Sequence, residues 1–158
     1  MNPPLSNPSA NQITFPHGSD YPLGRKSRVA LVAWMLFLLS GFSLARSLKP
    51  DPRGFGTHQR LGLPACSFRM MFTIPCPSCG MTTSFAHFTR GQFRESAGAN
   101  FAGLLLAIVC AIQIPWCVAS AWRGRLWKVS QPNVVAMWLL ISFCVISAAL
   151  WIFRLIAA

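Results

Sequence analysis

A chain of 158 residues with 53% hydrophobic and only 11% charged residues is poorly equipped to cover a soluble surface, since ordinary soluble domains carry roughly 25% charged residues. The apolar excess must face lipid. The formal charge of +11 comes from 14 basic and 3 acidic residues. The basic residues sit at the edges of apolar runs, which points to anionic lipid headgroups as the partner. Nucleic acid is disfavoured, because no basic helix or aromatic-interleaved patch accompanies the charge.

Residues 1–24 carry Pro3, Pro4, Pro8, Pro16 and Pro22 among Asn, Ser and Gly. They show no apolar period and read as a disordered tail. Residues 25–158 then form a single membrane domain. Arg25, Lys26 and Arg28 precede the uncharged run Val29–Ala45, which is near the lower length limit for a spanning helix. A first transmembrane helix is expected over about 29–47. A cleaved signal peptide competes, with Ser43-Leu44-Ala45 as its small-residue site. The region before it is too long for that.

Residues 46–75 mix Arg46, Lys49, Arg53, His58, Arg60 and Arg69 with Pro, Gly and short apolar patches. Pro64 and Arg69 argue against a full span there. The uncharged stretch Ser96–Trp122 predicts the second transmembrane helix, over 99–121. Ala99, Gly103, Ala107 and Ala111 recur every fourth residue and make a smooth stripe for close helix packing. Such a stripe suits a membrane-protein partner or a second copy of the chain. The Gln113 amide needs a hydrogen-bond partner at that depth. Pro115 cannot donate to the Ala111 carbonyl, so a kink is expected, with Gln113 as a local repair. Trp122, Arg123, Arg125, Trp127 and Lys128 form a short interfacial loop. Asn133 is a suitable N-cap for a third transmembrane helix over 134–156, where Arg154 can snorkel to the headgroups. The fold class is thus an all-α membrane protein: three transmembrane helices plus a short interfacial or re-entrant amphipathic helix. Lysine and arginine divide almost evenly between the two sides, so charge bias gives no orientation.

Of the six cysteines, Cys110, Cys117 and Cys144 lie inside apolar runs and act there as small hydrophobic residues. The others flank or form Pro75-Cys76-Pro77-Ser78-Cys79-Gly80. Residues 75–93 read as this turn followed by a short helix. Met81, Phe85 and Phe88 share one face, and Thr83, His87, Arg90 and Arg94 another. Cys79 then sits at or just before the helix start, where the dipole favours a thiolate.

Four readings follow. Cys76 and Cys79 have the spacing of a redox pair, although no βαβ pattern surrounds them. The same residues have the form of a metal knuckle, for which zinc is the natural ion and Cys66 and His58 could complete four ligands. His87 is a poor ligand, roughly 12 Å along the helix from Cys79. Alternatively the helix start, with Thr82, Thr83, Ser84 and nearby arginines, could bind an anion. In the fourth reading Pro, Cys and Gly only shape a tight turn. Asp20, Asp51 and Glu95 are scattered, and no phosphate loop or His/Asp/Ser constellation is present. The expected function is therefore an accessory or scaffold membrane protein without catalytic turnover of its own. A membrane thiol–disulfide protein and a zinc-binding membrane protein are the alternatives.

Cys76-Pro77-Ser78-Cys79-Gly80-Met81-Thr82, then Gly91, then Asn100 opening an apolar helix, resembles the pattern of the domain of unknown function 2752 family. That family of small bacterial membrane proteins carries Cys-Pro-x-Cys-Gly-x-Thr-Arg, a later Gly and an Asn-Pro. The likeness covers roughly Gly62–Val109. Thr83 stands where the family usually has Arg, and Phe101 where Pro is usual. The resemblance implies a multi-pass protein of the bacterial cytoplasmic (inner) membrane and no established activity. The polar residues expected around the motif are Gly80, Thr82, Thr83, His87, Arg90 and Asn100.

Overall fold

The computed structural model describes residues 21–129 and 131–156. The tail expected over residues 1–24 lies outside the described residues up to position 20. The element order is β1 (Tyr21–Pro22), α1 (Arg25–Ser47), a 3-10 turn (Thr57–Leu61), α2 (Ser67–Phe72), α3 (Met81–Phe88), α4 (Phe93–Ala99), α5 (Phe101–Arg123), β2 (Arg125–Leu126) and α6 (Pro132–Ile156). The chain is an all-α membrane protein: α1, α5 and α6 are long and apolar enough to cross a membrane. A helix of 23 residues extends about 34 Å, enough for a hydrocarbon core of about 30 Å.

The ends of α1 and α6 and the start of α5 lie together beside the three short helices. At the opposite end, β1 and β2 pair antiparallel, Tyr21 with Leu126 and Pro22 with Arg125. That pairing brings the basic residues before α1 next to those after α5. The three-span path gives a direct expected result. A membrane-impermeant thiol reagent should reach Lys26→Cys and Lys128→Cys from one side, and Lys49→Cys and Arg94→Cys from the other, each read against the parent's own labelling. Labelling of Lys26→Cys and Lys128→Cys from opposite sides would overturn the three-span path.

The short helix expected to run to about residue 93 ends at Phe88. Gly91 takes a φ of 75°, and the Gly91 and Gln92 amides turn back onto the carbonyls of Phe88 (2.9 Å) and His87 (3.1 Å). A left-handed glycine with such reversed bonds is a common helix stop. The chain restarts as α4 and breaks again at Asn100, whose backbone is extended. The Asn100 side chain accepts from the Gly103 amide at 3.0 Å, which caps α5.

The core is built from small residues. Ala45, Ala86, Ala102 and Ala107 are buried together with Thr83, Ser84, Ser96 and Asn100. Small side chains let α3 approach α5 closely, and their hydroxyls bond one another there. Among the described residues, every buried side-chain nitrogen and oxygen has a partner. The face of α3 turned inward is therefore Thr83, Ser84 and Ala86, while Met81 and Phe85 border α1 near Leu44 and Leu48.

Arg90 locks α1 to this core. Its guanidinium donates to the carbonyls of Ala86 (2.6 Å), Arg46 (2.7 Å) and Leu48 (2.7 Å). A cation on the last carbonyls of a helix also complements its dipole. Arg46 returns the contact by donating to the Thr89 carbonyl at 3.0 Å. Gln113 meets α1 as well: its side-chain oxygen accepts from the Trp34 indole at a long 3.4 Å. The partner of that amide oxygen is thus across the helix pair.

Candidate functional site

The Pro75–Gly80 turn is held from three directions. Within the turn, the Cys79 amide donates to the Cys76 carbonyl at 3.0 Å and the Met81 amide to Ser78 at 3.1 Å. From α5, the buried Asn100 amide donates to the Pro77 carbonyl (3.2 Å) and the Cys79 carbonyl (2.9 Å). From α6, the Trp151 indole donates to the Pro75 carbonyl at 2.6 Å. Arg154, expected to snorkel, instead reaches the Ala99 carbonyl at 3.3 Å. Gly80 adopts φ 84°, and its bare Cα lets the backbone carbonyls of Ala99 and Gly54 pass against it.

This frame brings three cysteines together. The sulfurs of Cys66, Cys76 and Cys79 all lie within 4.8 Å of one another, and those of Cys66 and Cys76 are 3.5 Å apart. All three residues are half-buried. Burial pushes the Cys76 thiol up to about 11, with the Cys66 hydrogen bond and the Cys79 sulfur adding to the effect. Gly80 occupies the cap of α3, and Cys79 stands just before it.

His58 stands outside this sulfur group but lines a cavity of about 250 Å³ together with Cys66 and Cys79. His87 is turned to Gln92, with its Nδ1 2.8 Å from the Gln92 oxygen. The hydroxyls near the start of α3 are used internally. Thr83 bonds Thr57 at 2.8 Å, and the Thr57 oxygen accepts from the Asp51 amide at 3.0 Å. Ser84 bonds Ser96 at 2.8 Å and faces the Asn100 carbonyl at 3.1 Å. With Arg46 and Arg90 also turned onto backbone carbonyls, these groups form a structural lattice and do not converge on a ligand. Thr82 is half-buried against α1.

The small-residue stripe is divided by the Asn100 break. Ala99 ends α4, while Gly103, Ala107 and Ala111 lie on α5. Ala107 is fully buried, and a Cβ on Gly103 would come within 3.0 Å of the Ser84 side chain. At Gly103 the stripe is occupied inside the chain by α3.

Three contributors were not anticipated as site residues: Arg53, Met70 and Trp151. Arg53 and Met70 line the cavity beside Cys66 and Cys79. Arg53 grips Asp51 through both carboxylate oxygens, at 3.0 and 2.8 Å. Its hydrogen bonds hold the Asp51 carboxyl at about 2. The Asp-x-Arg spacing was a usable signal for that pair. Nothing local marks Trp151 as the partner of a carbonyl so far away in the chain.

Residues 66–114 match the family described as protein of unknown function (DUF2752). The match covers this segment and not the rest of the chain. No curated protein and no solved structure matches the chain. The DUF2752 segment contains all three clustered cysteines, Gly80 and Asn100. His58, Arg53 and Trp151 reach the site from outside it.

Proposed function

We propose that this protein is an accessory protein of the bacterial cytoplasmic membrane that holds a soft metal ion on Cys66, Cys76 and Cys79, without turnover of its own. The bacterial setting follows from the family resemblance. The observation that carries the ion-binding reading is the convergence of three sulfurs within 4.8 Å. At a zinc–sulfur bond of about 2.3 Å, tetrahedral ligands lie about 3.8 Å apart. The 3.5 Å between Cys66 and Cys76 is close to that spacing. A disulfide needs its two sulfurs at about 2.05 Å, whereas a shared ion holds sulfurs at the wider spacing seen between Cys66 and Cys76. The frame around the turn supports a binding role too: a site fixed by Asn100, Gly80 and Trp151 presents its ligands without a large ordering cost. Binding converts the thiols to thiolates, and their protons pass to solvent.

The test is metal titration of the purified protein with zinc and cadmium, read by a sulfur-to-metal charge-transfer band and by metal analysis. One equivalent should bind, and Cys76→Ser should abolish binding while the circular dichroism spectrum stays that of the parent. If neither ion binds and alkylation in graded redox buffers reveals a reversible Cys76–Cys79 couple in the range of known oxidoreductases, the redox reading replaces this one.

A further inference from the structure

The cavity beside the cysteines carries the argument further, and the step rests on the metal reading just given. Its volume is about 250 Å³. Drug-sized ligands occupy about 300–1,000 Å³, so this space suits an ion and its immediate ligands better than an organic molecule. Cys66, Cys79, Met70, His58 and Gln59 all line it. Met70 is 72% exposed, so an open thioether lines the same space as two thiols. Among the described lining residues there is no carboxylate. The remaining charged one, Arg53, is tied to Asp51 at 2.8 Å, which reduces its repulsion of a cation.

We infer that the ion taken by this site is monovalent copper, and that it enters and leaves through the cavity by way of Met70 and His58. Thiolates and thioethers are soft donors that favour copper(I). Zinc takes four ligands in closed sites, chiefly thiolate, imidazole and carboxylate. Here three sulfurs converge and His58 lies outside their group, so no closed tetrahedral set is assembled. An open thioether would do little for zinc, whereas it offers copper(I) a weak first contact before the thiolates. Weak ligands on the path followed by strong ones at its end allow an ion to be passed on and not simply sequestered.

The experiment is anaerobic titration of the full-length protein in detergent with copper(I) held by a chromogenic chelator, with zinc-loaded protein run in parallel. Copper(I) should displace zinc at one equivalent. The double variant His58→Ala, Met70→Leu should still bind copper(I) at one equivalent yet take it from the chelator measurably more slowly. Unchanged transfer in that variant would overturn the entry route. Zinc that binds in a Cys76-dependent way and resists copper(I) would overturn the choice of ion while leaving the metal reading intact. Loss of all Cys76-dependent binding, zinc included, would instead overturn the metal reading itself.

Discussion

Replacing Asn100 with Ala should lower the stability of the purified protein by about 2–4 kcal/mol. The side chain is 2% exposed and does three things at once. It accepts from the Gly103 amide at 3.0 Å and donates to the carbonyls of Pro77 and Cys79. Loss of an N-cap alone costs about 1 kcal/mol. Leaving buried backbone groups without partners adds about 1–3 kcal/mol for each group that water cannot reach. The same change unfastens the cysteine turn, so metal affinity should fall with stability. Asn100→Asp separates the two roles. A carboxylate still caps α5, and it turns an acceptor toward two carbonyls in place of a donor. Thermal unfolding in detergent should therefore show Asn100→Asp at least as destabilised as Asn100→Ala. A parent-like Asn100→Asp would mean that only the cap matters and that the turn is held by other groups.

The contrast between what was legible and what was not follows from the range of the interactions. Spanning helices depend on long local apolar runs, so the composition of Val29–Ala45, Ser96–Trp122 and Val134–Ile156 exposes them directly. The cysteine turn is also a local feature, with both prolines and Gly80 in consecutive positions. The sequence offers Cys66 as a partner only by residue type. Its approach to Cys76 depends on how the loop before α2 folds over the turn, which no periodicity encodes. Arg90 illustrates the same limit. On a helical wheel it shares a polar face with Thr83 and His87, as a solvent-facing arginine would. In the fold it serves the end of α1, because the carbonyls there lack partners and a guanidinium can meet several at once. Thr83 is similar: a hydroxyl on an apparent polar face is buried because Thr57 satisfies it. Polar pattern alone cannot distinguish water from another hydroxyl as the partner.

Gly80→Ala is expected to be the more damaging substitution, costing about 2–5 kcal/mol. Two effects add. The φ of 84° is a left-handed conformation that costs an L-residue about 1–2 kcal/mol. The new Cβ would also overlap the Ala99 carbonyl and stand 2.7 Å from that of Gly54. Both obstacles are backbone, so no rotamer change relieves them. The end of α4 or the loop before the 3-10 turn must move, and that costs about 1–3 kcal/mol as overpacking. Gly91→Ala provides the matched comparison. Its φ is 75°, and a Cβ there meets nothing within 4 Å. Only the conformational cost should appear, about 1–2 kcal/mol. The difference in unfolding free energy between the two variants thus measures the close approach at Gly80 by itself. Equal losses at both positions would show that the α4 end and the Gly54 loop yield easily. Unequal losses, with weaker metal binding in Gly80→Ala alone, would tie the cysteine cluster to the tight crossing of three backbone segments at Gly80.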